Sequence, residues 1–135
     1  MKYVLIVLVL FIIYIYTRND IHTIYGKVSR TDKELKKGLM FRKHKLNDTE
    51  GMLFIMRKDY DNSVWMKNTY ISLDVIFLDS TMTVSGYKTN TKPLSTDTIR
   101  INKPSSYILE MNSGSVNKLD IKIGDIIHFK EVKLF

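Results

Sequence analysis

The sequence predicts an α+β domain: a small β-rich barrel or rolled, mostly antiparallel sheet with one or two short helices, preceded by an N-terminal transmembrane helix. Three observations lead there. Short apolar or alternating stretches recur along the chain, separated by Gly, Asp, Asn and Ser, which is the pattern of strands and turns. Beyond the N-terminal run, helical signals are confined to the segment after Thr31 and the turn containing Leu119. The N-terminus is an unbroken apolar run. With six or seven strands in the roughly 110 residues beyond that run, rolling or closing the sheet is the natural way to hide its edges.

The apolar run follows Lys2 and reads YVLIVLVLFIIYIY, 14 residues without a charge or a helix breaker. As a helix it reaches roughly 21 Å, short of the ~30 Å hydrocarbon core, as a signal-peptide core would be. Its exit, Tyr14-Ile15-Tyr16-Thr17-Arg18, lacks the small residues of a cleavage site. The tyrosines suit a membrane interface and Arg18 can snorkel. The expectation is an uncleaved signal anchor over residues 1–18, set against a cleaved signal peptide and a buried soluble helix. A tether over 19–24 and a domain over 25–135 follow. The protein is then expected at a membrane, single-pass, with residues 3–16 in lipid and the C-terminal domain translocated.

Beyond the tether, Tyr25 to Arg30 alternates as a first strand. Thr31 with Glu34 three positions on forms a capping box, so a short helix starts there, and Gly38 ends or bends it. A polar loop runs from Lys43 to Glu50. Gly51 to Met56 is a buried strand, and Arg57 to Asn62 a charged turn. Ser63 to Met66 begins a strand that Lys67-Asn68-Thr69 interrupts and Ile71 to Leu78 continues. Asp79-Ser80-Thr81 is a turn, and Met82 to Thr89 the return strand. After a polar loop, Ile99 and Ile101 mark a short edge strand. Tyr107 to Asn112 is another strand. A helical turn around Leu119, a tight turn at Ile123-Gly124-Asp125 and a closing strand from Ile126 to Val132 complete the chain.

The formal net charge is +7, a balance that suits anionic surfaces such as lipid headgroups, or simply solubility. Lys88, Lys92, Arg100 and Lys103 cluster around one loop with no aromatic among them, which argues against nucleic acid. There is no cysteine, which excludes disulfides, thiolate metal sites and a thiol nucleophile. His22, His44 and His128 lack metal-ligand spacing, and neither a phosphate-binding Gly-rich loop nor a Gly-x-Ser-x-Gly elbow is present. No metal and no cofactor are expected. The chain has no Ala and no Gln, as an AT-rich bacterial or large viral genome would produce.

Five ordered motifs carry a resemblance. They are Gly38-Leu39-Met40-Phe41-Arg42, Glu50-Gly51-Met52-Leu53-Phe54, Trp65-Met66-Lys67-Asn68-Thr69 with Leu73-Asp74-Val75-Ile76-Phe77, Tyr107-Ile108-Leu109-Glu110 with Asn112 and Gly114, and Gly124-Asp125. In this order and spacing they resemble DUF192, a family of small uncharacterised domains, over about residues 25–132. The resemblance implies a small closed β-sheet with short helices, usually behind a signal or anchor, and no established reaction. The stretch from 90 to 104 departs from the family, keeping only Pro93 and Pro104 of a Pro-rich segment.

The candidate ligand-binding residues are Arg42, Trp65, Asn68, Asp74 and Glu110. Trp65 with Met66 either walls a pocket or packs in the core. Asn68 and Thr69 form either a bulge aiming polar groups at one spot or a backbone-satisfying turn. Asp74 and Glu110 each interrupt an apolar strand and need partners there. Arg42 is the expected partner, and with Asn68 and Asn112 these groups would converge as a buried ion-pair network or a polar pocket. No catalytic residue is assigned. The preferred reading is a membrane-anchored, non-enzymatic module that binds a small polar ligand or a protein partner at a membrane surface, in a virus a minor virion membrane component. The alternatives are a small hydrolase or carbohydrate-active enzyme using Asp74 and Glu110, and a purely structural assembly module.

Overall fold

In the computed structural model, residues 9–57 and 62–133 are described. Most of the charged turn expected at Arg57–Asn62, and residues 3–8 of the apolar run, lie outside them. The elements are β1 (Val9–Tyr16), β2 (Ile21–Ser29), α1 (Asp32–Lys37), β3 (Glu50–Ile55), β4 (Leu73–Leu78), β5 (Val84–Lys88), β6 (Tyr107–Asn112), α2 (Ser115–Lys118) and β7 (Ile126–Lys133). They build one seven-stranded sheet in the order β5-β4-β6-β3-β2-β1-β7. Only β2 and β3 run parallel. That pair needs a crossover, which α1 supplies.

Over residues 9–16 the expected transmembrane helix is replaced by a strand. Residues 9–16 form β1, an inner strand laddered antiparallel to β2 on one side and β7 on the other. Among the described residues no helix is long and apolar enough to cross a membrane. The physical reason lies in the side chains. VLFIIYIY is mostly β-branched and aromatic, which favours a pleated surface. A continuous apolar run reads alike for a buried strand and a buried helix. Here Ile13 and Ile15 point into the core with no exposure, while the intervening Tyr14 stays partly exposed, the period of two that a strand imposes. The next strand also starts earlier than expected, at Ile21, inside the stretch read as a tether.

The sheet rolls without closing into a barrel. Its outer strands meet at one end only, through a bridge between Thr83 and Ile126. The Val84 N–H donates to the Asp125 carbonyl at 2.7 Å and the Ile127 N–H to the Met82 carbonyl at 3.0 Å. Rolling leaves two cores. The inner one takes side chains from all seven strands, among them Ile13, Ile24, Leu53, Ile76, Val84, Leu109 and Ile127, and is plugged by Val116 of α2. The outer one lies on the other face of β3, β4 and β6, where Met52, Phe54, Leu73, Val75, Phe77 and Ile108 are covered by Leu39, Leu46 and Met66 from the connecting segments.

The capping box at Thr31 forms as expected. The Thr31 hydroxyl accepts from the Glu34 N–H at 3.1 Å, and Glu34 accepts from the Thr31 N–H at 3.0 Å. Gly38 ends α1 at φ 47, ψ −125, a conformation open to glycine and costly for other residues. The expected strands at Ser63–Met66 and Ile99–Ile101 shrink to one bridge, Val64 to Ile99.

Candidate functional site

Strand alternation decides which polar groups meet. On β6, Leu109 and Met111 face the inner core and Ile108 the outer one, so Glu110 shares the outer face. On β4, Leu73, Val75 and Phe77 face outward, so Asp74 shares the inner face with Ile76 and Leu78. The register sets Val75 opposite Glu110 and Asp74 opposite Met111. The two carboxylates thus lie on opposite sides of the sheet, and the expected cluster does not form.

Asp74 has no exposure, and backbone amides satisfy it. Its Oδ1 accepts from the Asn90 N–H at 2.9 Å. Its Oδ2 accepts from the Gly114 and Val116 N–H groups at 3.1 and 2.9 Å. A carboxylate so bonded ties the 90s loop and α2 to β4, and has little capacity left for a ligand. Asn112 is equally engaged, clamping the Leu46 backbone through its amide nitrogen (2.5 Å to the carbonyl) and oxygen (2.9 Å from the N–H). Arg42 pairs with Glu50 at 3.3 Å, part-exposed, not with Asp74. Asn68 stands at φ 54 in a tight turn closed by the Thr69 N–H on the Met66 carbonyl at 3.1 Å. Its own carbonyl accepts from the Phe41 N–H at 2.8 Å. The polar insert is therefore a turn, with Asn supplying the left-handed residue that such turns favour.

Glu110 and Trp65 do share a site. They line a cavity of about 450 Å³ on the outer face, a size typical of small-molecule sites. Leu35 and Leu39 wall it from α1 and its exit, Phe54 from β3, Leu73 from β4, and Trp65 and Met66 from the connecting segment. Trp65 is 45% exposed at the mouth, with the Lys67 Nζ 5.1 Å from its ring centroid. Glu110 is 5% exposed, and burial alone acts on its carboxyl, with no hydrogen bond or charged partner among the described residues. Burial pushes this carboxyl up to about 7, because losing water penalises the ionised form.

A second acceptor, which the sequence did not single out, lines the same cavity. The Asn62 side chain donates through Nδ2 to the Ser105 carbonyl. Its Oδ1 is buried and has no hydrogen-bond partner among the described residues. No sequence pattern marks Asn62; only its position beside the cavity does. Around the rim stand Asp32, Lys36, Lys37 and Arg57, with Arg57 paired to Asp32 at 2.6 Å. Among the described residues no group of acidic or histidine side chains is arranged to hold a metal ion.

The family model DUF192, described as an uncharacterized ACR, matches residues 13–129. A crystal structure of a protein of unknown function from Novosphingobium aromaticivorans is similar at 32% identity and TM-score 0.82, covering 87% of this chain and 83% of that one. Another, from Sinorhizobium meliloti and provisionally described as a transcription regulator, is similar at 29% identity and TM-score 0.84, covering 89% and 93%. No curated protein matches the chain.

Proposed function

This chain belongs to the DUF192 family, and we propose that it is a non-enzymatic binding module whose site is the cavity between Trp65 and Glu110. The observation that carries this reading is Glu110 itself. A buried carboxyl without a partner costs stability, and here it faces a cavity large enough for a small molecule. The paired-carboxylate chemistry of a hydrolase is not supported, since Asp74 lies across the sheet and is saturated by backbone donors. The other carboxylate at the cavity, Asp32, is exposed and engaged by Arg57.

Trp65 is the single tryptophan and sits at the cavity mouth, so its emission reports occupancy. Titration with 4-phenylbutanol is expected to give a saturable Trp65 emission shift, with amide shifts in NMR confined to the cavity walls. Absence of both, here and with the matched amine and carboxylate, defeats the reading.

A second reading concerns the surface beside the cavity. Phe41, Tyr70 and Leu94 are 57%, 48% and 55% exposed. Phe41 and Tyr70 pack edge to face at 6.5 Å, and the Leu94 N–H bonds the Thr69 carbonyl at 3.0 Å. The stretches that carry them, 41–46, 65–73 and 90–96, contain Arg42, Lys43, Lys45, Lys67 and Lys92 and no acidic residue. Exposed aromatics among cations suit the headgroup layer of an anionic bilayer. We propose that this patch contacts a membrane; the charge complementarity favours an anionic lipid surface over an apolar protein partner. Binding to phosphatidylglycerol vesicles but not to phosphatidylcholine vesicles is the expected result, and equal binding to both, or none, overturns it.

A further inference from the structure

We propose that the cavity takes an amphipathic amine or amidine, whose N–H donors meet Glu110 and the Asn62 amide oxygen while its apolar body lies against Phe54, Met66 and Leu73. The inference rests on the binding reading above and names the ligand's chemistry.

Two groups without a partner among the described residues specify the head. Glu110 is a carboxyl, and the free atom of Asn62 is its carbonyl oxygen, because the Ser105 carbonyl takes the amide N–H. An amide oxygen only accepts. An ionised carboxylate only accepts as well. A ligand that satisfies both must therefore donate at least two hydrogen bonds at one end, as an ammonium or amidinium does. A hydroxyl supplies one donor, and a carboxylate none. The remaining wall is apolar, with Leu35, Leu39, Phe54, Met66 and Leu73, so the body of the ligand gains by leaving water.

The charged groups around the cavity are Asp32, Lys36 and Lys37 on α1 and Arg57 after β3. All stand at the exposed rim, where solvent weakens their reach. Glu110 is the one charged group set in the depth of the cavity among the described residues. Burial pushes its carboxyl up to about 7, so binding an ammonium below that pH releases a proton. Affinity for the amine then falls by about tenfold per pH unit below 7.

The test compares 4-phenylbutylamine, 4-phenylbutanol and 4-phenylbutanoate by Trp65 emission at pH 8 and pH 5.5. Tighter binding of the amine at pH 8 by about tenfold or more supports the inference. So does loss of that preference in Glu110→Gln and a smaller loss in Asn62→Ala. Glu110→Gln keeps the side chain's size but removes the charge and turns one acceptor oxygen into an amide donor, and circular dichroism confirms that it folds. Alcohol or carboxylate binding as tightly as the amine overturns the ligand class and leaves the binding module standing. An amine preference that survives Glu110→Gln also overturns it. Binding of no probe removes the module itself.

Discussion

Asp74 and Glu110 sit on neighbouring strands and never meet: Glu110 is registered against Val75 on the outer face of the sheet, while Asp74, one residue earlier, faces inward. Each is buried, but they solve the problem of burial differently. Asp74 collects three backbone N–H groups. Glu110 collects none among the described residues, and burial raises its pKa.

Stability should carry the signature of Glu110. The proton binds more tightly to the folded than to the unfolded chain, since burial raises the carboxyl from 4.5 to about 7. The contribution of the neutral carboxyl is fully present below about pH 4.5 and is lost as pH rises to about 7. Glu110→Gln removes this loss. Thermal or urea unfolding at pH 8 should find the variant more stable by up to about 3 kcal/mol, and at pH 4 nearly equal to the parent.

Asp74 should behave in the opposite sense. Asp74→Ala leaves three buried donors without an acceptor, a cost of about 3 kcal/mol or more. Asp74→Asn keeps one acceptor and costs less. Neither should change probe affinity at Trp65, because the sheet separates the sites. A loss of Trp65-reported binding in a folded Asp74→Asn protein would show that the faces are coupled.

Removing residues 1–18 distinguishes a strand from an anchor. If those residues only tethered the domain, the remainder would fold normally. Here β1 lies between β2 and β7 and contributes Ile13 and Ile15 to the core. Each side chain is worth about 1.5–3 kcal/mol of burial, and the ladders on both sides are lost with it. The truncated chain should be unfolded or aggregated by circular dichroism and size exclusion.

Phe41 and Leu94 adopt φ 65 and 66, where only Gly, Asn and Asp are comfortable. Both side chains are more than half exposed. Phe41→Asn and Leu94→Asn should therefore hold or raise stability, by up to about 1 kcal/mol. If the patch serves an anionic bilayer, the same changes should weaken phosphatidylglycerol vesicle binding in a sedimentation assay.

Much of the fold was legible locally. Thr31 and Glu34 are three residues apart, so their capping box is written in adjacent sequence, and the Gly38 stop follows from the same short range. The strand at Tyr107–Asn112 was legible for the same reason, from its own composition and turns. The apolar N-terminal run misled because strand and helix bury the same side chains, and only the partners β2 and β7 select between them. Glu110 and Trp65 stood out as oddities of their own segments, but Asn62 did not. Its side chain is tied to the distant Ser105 carbonyl, and its oxygen has no partner among the described residues.

By itself the sequence determined the family, the β-rich architecture and the presence of two carboxyls in apolar strands, since each depends on residue type at short spacing. Only the tertiary structure decided that β1 belongs to the sheet, that Asp74 and Glu110 face apart, and that Glu110 opens onto a cavity. A strand sends successive side chains to opposite faces, so the faces these carboxyls occupy are fixed by the register against partner strands, which depends on pairings far apart in the chain.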